Sequence, residues 1–210
     1  MDIIGKIKKN KIIPVAVFSN ADDAVAVAEI LLASSFDMIE VTLRTMAAFD
    51  CIEAINKRFP AMTVGAGSVQ SKETLKTAYE RGAVFGVAPG LDLEIVEYAK
   101  SLGMLFIPGV ATPSELNLAL RASDVIKVFP AEQLGGPAYL QAISAPFAMK
   151  KFFLIPTGGI NEKNFQEYMK SGNVIACGMT YIVEKNLVDK KDFKTLEDRI
   201  KKFAAELSRS

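Results

Sequence analysis

The stretch DVIKVFPA, residues 124–131, decides how this chain is read. Val125, Ile126, Val128 and Phe129 are strand formers, and Pro130 ends the run. Side chains alternate along a strand, so Val125, Lys127 and Phe129 share one side while Ile126 and Val128 share the other. A strand apolar on both faces belongs to a parallel sheet covered by helices, and there Lys127 lies in an apolar interior. Burial strips water from an ammonium group, so a lysine held there is rarely structural. A neutral amine is what carbonyl attack and Schiff-base formation require. The plain alternative is a gatekeeper lysine on an exposed edge strand, and this stretch alone does not choose between them.

Working outward, further strands are expected at 12–18, 37–43, 62–67, 84–90, 104–109, 152–159 and 173–178. Helices fall between them. Asn20 and Ser71 read as caps, and Thr112-Pro113-Ser114-Glu115 is a capping box with proline at the first helical position. Helices are also expected up to about Arg58 and Ser101, near 139–143 after the Gly135-Gly136-Pro137 break, and after Asn161 as a cap. A basic leading helix (1–10) and a charged closing helix from about Lys191 complete the pattern. Alternating strand–helix units imply a parallel sheet. Eight of them in 210 residues imply a single-domain (β/α)8 TIM barrel over 1–210 with a short N-terminal helix. No G-x-G-x-x-G follows the first strand, which speaks against an open doubly wound sheet.

Composition narrows the function. Half the residues are hydrophobic (50%) and the net charge is +1, so there is ample core and no global field to attract nucleic acid or a membrane. Two unpatterned cysteines, Cys51 and Cys177, suit a reducing cytoplasm. No signal peptide is read at the start, and no apolar run is long enough to span a bilayer. The chain has no histidine. That excludes a Ser-His-Asp triad and a His-ligated zinc, and leaves proton transfer to carboxylates, Lys, Tyr or Cys.

Catalytic groups in such barrels sit at the C-terminal ends of the strands and in the loops just after them. On the second strand Met38, Glu40, Thr42 and Arg44 fall on one face, and Ile39, Val41 and Leu43 on the other. The apolar face suits the strand–helix layer, so the polar face is expected to line the interior. Along a straight strand Glu40 and Arg44 stand about 13 Å apart at Cα, which suggests two tools at different depths. The alternative is a structural charge network closed by Lys127. The third strand ends in GAGS (65–68), where small residues admit a ligand to the backbone and Ser68 offers a hydroxyl. Such glycines also serve packing alone. APG (88–90) and IPG (107–109) read as turns of the rim. PTGG (156–159) precedes the helix expected after Asn161, and glycine amides at a helix N-terminus suit phosphate. With the Gly178-Met179-Thr180 turn they make a candidate phosphate site. A plain helix-entry turn is the alternative.

Taken together and in order, EVTLR (40–44), GAGS, APG, IPG, KVFPAE (127–132) and PTGGI (156–160) resemble the 2-keto-3-deoxy-6-phosphogluconate (KDPG) aldolase family. These class I aldolases include the 4-hydroxy-2-oxoglutarate (KHG) aldolases, and the resemblance spans nearly the whole chain. It implies a homotrimeric barrel that needs no cofactor or metal. The barrel would cleave a 2-keto-4-hydroxy acid, first of all 2-dehydro-3-deoxy-6-phosphogluconate, to pyruvate and glyceraldehyde 3-phosphate. By position in the motifs Lys127 would form the Schiff base and Glu40 would be the general acid/base. Arg44 and Ser68, where the family commonly has threonine, would hold the pyruvate carboxylate. Phe129, Thr157 and Pro89 would line the keto acid, and Gly158, Gly159 and Thr180 would receive the phosphate. Two departures touch the substrate tail. Gly178-Met179-Thr180 stands where Gly-Gly-Ser is common, and Phe18 or Ser19 where some relatives carry arginine. Other substrates in view are 4-hydroxy-2-oxoglutarate, giving pyruvate and glyoxylate, and 2-dehydro-3-deoxy-6-phosphogalactonate. A phosphate-binding isomerase or epimerase, a metal-dependent aldolase with an all-oxygen site, and a non-catalytic keto-acid-binding barrel are the competing readings.

Overall fold

The computed structural model describes residues 2–207, so Met1 of the expected leading helix and residues 208–210 of the expected domain lie outside the described residues. Nine strand segments follow in order: β1 (Ile12–Ala16), β2 (Met38–Thr42), β3 (Thr63–Gly67), β4 (Phe85–Val87), β5 (Leu105–Ile107), β6 (Gly109–Val110), β7 (Val125–Val128), β8 (Phe153–Pro156) and β9 (Cys177–Met179). The helices are α1 (Ile3–Asn10), α2 (Ala21–Ala33), α3 (Ala48–Arg58), α4 (Lys72–Glu80), α5 (Leu93–Ser101), α6 (Pro113–Ala119), α7 (Gly136–Ser144), α8 (Phe165–Met169), α9 (Lys185–Asp189) and α10 (Phe193–Leu207).

All strand pairing is parallel. A six-stranded sheet, ordered β5-β4-β3-β2-β1-β9, forms a half-barrel, and a three-stranded sheet, β6-β7-β8, completes the α/β fold. The expected fifth strand is broken at Pro108, which has no N–H to give to a ladder; its carbonyl accepts the Lys127 N–H at 2.9 Å instead. The eighth expected strand is also shorter than read. The sheets meet there only through single bridges, Leu154 with Val174 and Thr157 with Gly178.

The two faces of each strand separate two apolar clusters. Ile39, Val41, Val64, Ala66, Ile126 and Val128 pack outward against the helices. Met38, Phe85, Val87, Ile107, Val125 and Ile155 fill the interior with Ile7 of α1. Helix α1 lies across the N-terminal ends of the strands. Lys6 Nζ donates to Thr63 Oγ1 at 2.7 Å, Asn10 Nδ2 to Asp37 Oδ1 at 2.8 Å, and Lys8 lies over the Phe153 ring.

The helix starts expected at Asn20, Ser71 and Thr112 are present, each side chain accepting a backbone N–H of the first turn. Asn161 is not a cap. Its side chain accepts the Lys163 N–H at 2.9 Å while its own N–H goes to Asn164 Oδ1 at 2.8 Å, so the chain makes a polar turn and α8 begins only at Phe165. Helix α7 starts at Gly136, inside the expected break. Helix α9 was not legible, because five residues show no helical period. Among the described residues no helix is long and apolar enough to cross a membrane.

Candidate active site

Lys127 closes the inner face of β7, the next inward-facing residue after Val125, and it is buried at 6% exposure. Its flanks are fixed by pairing to Gly109 on one side and Ile155 on the other. Among the described residues its ammonium makes no hydrogen bond or ion pair; the centroid of the Phe129 ring is 5.1 Å from Nζ. This is no edge-strand lysine, because β7 is the central strand of its sheet.

Glu40 is on the inner face of β2 above Met38 and is 2% exposed. Burial raises its carboxyl above the ordinary carboxylate range, opposed by the positive charges of Lys127 and then Arg44. Neither cation bonds to it among the described residues, so the interior holds no closed charge network. The glycines of β3 explain how the carboxyl fits. A Cβ on Gly67 would lie 2.0 Å from Glu40 Oε1, and one on Gly65 would meet the Phe85 ring at 2.2 Å. Gly65 and Gly67 therefore make room for neighbouring side chains.

Arg44 departs from the expected strand face. Strand β2 stops at Thr42, and the Arg44 N–H folds back to the Thr42 carbonyl at 2.8 Å, which leaves Arg44 exposed at the rim. Its Nε donates to Thr42 Oγ1 at 3.3 Å. The straight-strand separation from Glu40 does not apply, and Arg44 leans close enough to lower the Glu40 carboxyl. Ser68 follows β3 directly, half-buried, with φ of 58°; a residue with a Cβ is held there only by its surroundings. Pro89 and Phe129 are exposed at the same rim. Thr157 is buried at 5%, and Gly178 lets it in: a Cβ on Gly178 would lie 2.3 Å from Thr157 Oγ1.

Beyond this group a cleft of about 740 Å³ opens between the ends of β1, β2, β8 and β9. Val15, Val17, Arg44, Gly159, Thr180 and Lys185 line it. Val15 is in register with Glu40, so the cleft adjoins the carboxyl's own strand. Gly158 and Gly159 have φ of 101° and 79° and lie well before α8, so their amides do not head a helix as expected. Of the two departures at the tail, Met179 and Phe18 are fully buried in the layer between strands and helices, while Thr180 lines the cleft and Ser19 is exposed. The sequence reading missed Lys185, whose ammonium pairs with Asp189 one turn on, and Thr45, whose hydroxyl donates to the Phe18 carbonyl at 2.6 Å. Among the described residues no group of His, Cys, Asp and Glu is placed to hold a metal.

Comparison with known proteins supplies an independent line. A family model described as KDPG and KHG aldolase matches residues 3–199. A 2-dehydro-3-deoxy-phosphogluconate aldolase of Haemophilus influenzae is 35% identical over 192 residues, 91% of this chain and 90% of that protein. A KHG/KDPG aldolase of Escherichia coli K12 is 38% identical over 196 residues, 93% of this chain and 89% of that one. In solved structures, the KDPG aldolase of Legionella pneumophila, with pyruvate captured at low pH as a covalent carbinolamine, matches with a TM-score of 0.90 and 32% identity over 96% of this chain and 97% of its own. The aldolase of Zymomonas mobilis ZM4 with 3-phosphoglycerate gives 0.87 and 31% over 97% and 95%.

Proposed function

The chain belongs to the KDPG and KHG aldolase family and is a carbon–carbon lyase, and from that premise we propose how its own residues cleave 2-dehydro-3-deoxy-6-phosphogluconate to pyruvate and glyceraldehyde 3-phosphate. The observation that carries the reading is Lys127: a buried amine on the inner face of β7, without an ion-pair partner among the described residues. Its Nζ attacks the C2 carbonyl carbon, water leaves, and a protonated imine forms. Glu40 removes the C4 hydroxyl proton. The C3–C4 bonding pair moves into the imine, the aldehyde departs, and an enamine of pyruvate remains. Glu40 returns the proton to C3, and hydrolysis of the imine releases pyruvate and frees the amine. A carboxyl raised by burial suits both halves of this proton shuttle.

Around these two groups, Arg44 and Ser68 are assigned to the pyruvate carboxylate, and Phe129, Pro89 and Thr157 to the flanks of the keto acid. Gly158, Gly159 and Thr180 are assigned to the phosphate. The cleft that Gly159 and Thr180 share with Arg44 supports the last of these roles. We read the two sheets as the wall of one eight-strand barrel, a single domain working as a cytoplasmic homotrimer without a resident cofactor. Incubation with pyruvate and borohydride tests the chemistry. One reduced adduct is expected, on Lys127, and an adduct on another lysine, or none, rejects the assignment. Lys127→Arg is expected to abolish turnover, because a guanidinium stays protonated and forms no imine. The second reading, cleavage of 4-hydroxy-2-oxoglutarate, is favoured by the double name of the E. coli relative. A preference for the phosphorylated keto acid of at least about tenfold in kcat/KM, or about 1.4 kcal/mol of transition-state binding, separates the two; equal efficiency favours the second.

A further inference from the structure

Glu132 takes no part in the reaction above, yet it grips the loop that carries Gly158 and Gly159. The Ala131 N–H donates to the Thr157 carbonyl at 2.8 Å and the Glu132 N–H to the Gly158 carbonyl at 3.1 Å. Glu132 Oε2 accepts the Tyr168 hydroxyl at 2.6 Å and Asn164 Nδ2 at 3.1 Å. Asn164 passes the hold on: Nδ2 also donates to the Gly159 carbonyl at 3.1 Å, and Oδ1 accepts the Asn161 N–H at 2.8 Å. The stem of Glu132 lies directly under Gly159, where a Cβ would come within 2.5 Å of Glu132 Cβ. The two glycines take positive φ and precede any regular helix, so their backbone has no ladder of its own to fix it. Tyr168 is fully buried, and burial, then the Glu132 carboxylate, push its phenol up, so it remains a donor.

We propose that Glu132 is a positioning residue which, through Tyr168 and Asn164, holds the Gly158 and Gly159 amides where they meet the terminal phosphate of the substrate. The proposal rests on the reading of this loop as the phosphate side of the site. Beside the two backbone bonds, the carboxylate adds a side-chain tie between that loop and the segment running straight on from Lys127, and so steadies the distance between the imine and the phosphate.

Steady-state kinetics on 2-dehydro-3-deoxy-6-phosphogluconate and on 4-hydroxy-2-oxoglutarate test it, with pyruvate–borohydride trapping alongside. Glu132→Ala is expected to raise KM for the phosphorylated substrate about tenfold, while its kcat, both constants on the unphosphorylated substrate and the extent of trapping stay within about twofold. Glu132→Gln keeps an amide oxygen for Tyr168 and Asn164 and is expected to recover most of the loss. Tyr168→Phe is expected to show a smaller loss in the same direction. If Glu132→Ala harms both substrates alike, or neither, the role of Glu132 is overturned while the aldolase reading stands. A wild-type enzyme that does not prefer the phosphorylated substrate overturns the phosphate reading and this proposal with it. Should Glu132→Ala not fold, Tyr168→Phe decides: an unchanged KM for the phosphorylated substrate overturns the proposal.

Discussion

Glu40 holds a carboxyl group where water hardly reaches it, and two measurable consequences follow from that one position. The first is kinetic. Glu40→Gln keeps the shape but cannot shuttle a proton, so imine formation is expected to continue at a reduced rate while exchange of the pyruvate methyl protons falls about 10²–10⁴-fold. Near-normal exchange, read by NMR in heavy water, rejects Glu40 as the base. The second is a stability effect with a defined sign. Its folded carboxyl is raised above the unfolded value, so its contribution to stability is fully present below the unfolded value and is lost as pH rises through the folded one. Glutamine has no proton to lose. The urea midpoint of Glu40→Gln is therefore expected to gain on wild type as pH rises from about 4 to about 8; a constant difference means burial does not govern this carboxyl. Glu40 and Lys127 stood out in the sequence because a charge on an apolar strand is rare, and alternation placed Glu40 on the polar face of its strand; for Lys127 the choice between the interior and an exposed edge was not legible, because it depends on which strands flank β7. Glu132 was not legible as more than part of a motif, because its partners come from residues 159–168 folding back onto it.

At the scale of elements, the inner face is built by what the neighbouring strand leaves out. Gly67 on β3 is the space in which the Glu40 carboxyl of β2 lies. Gly67→Ala adds one carbon at 2.0 Å from Oε1, which forces the carboxyl to move. Proton exchange on pyruvate is expected to fall by about 10²-fold, because a displacement near 1 Å has that effect on a positioned group, while the Lys127 adduct still forms. An unchanged exchange rate means the carboxyl works from a different rotamer. Thr180→Ala, at the end of β9, is expected to lower the preference for the phosphorylated substrate and leave cleavage of the short keto acid within about twofold. Equal losses on both substrates contradict a phosphate role for that hydroxyl. Helix starts at Asn20, Ser71 and Thr112 could be read locally, because a cap bonds within its own first turn. The turn at Asn161 could not: an asparagine that caps and one that folds a polar turn carry the same local signal. The end of β2 was likewise hidden, since only the fold-back of the Arg44 N–H marks it.

For the molecule as a whole, the repeating strand–helix units were plain in the sequence, while the break at Pro108 and the single bridges joining the sheets depend on how the strands meet. One feature of the assembled fold, the apolar plug under α1, governs traffic. Among the described residues Ile7, Ile13, Met38, Val125 and Ile155 fill the N-terminal end of the interior, which leaves the rim that carries Arg44, Phe129 and Pro89 as the way in. Such a dead-end chamber serves its visitors in turn. With the pyruvate half tethered to Lys127 as proposed, the aldehyde is expected to leave first in cleavage and enter last in synthesis. Product-inhibition kinetics are then expected to give an ordered pattern, pyruvate competing directly with the six-carbon keto acid and glyceraldehyde 3-phosphate inhibiting in mixed fashion. An interior open at both ends would let the two products depart independently, and the patterns would be alike.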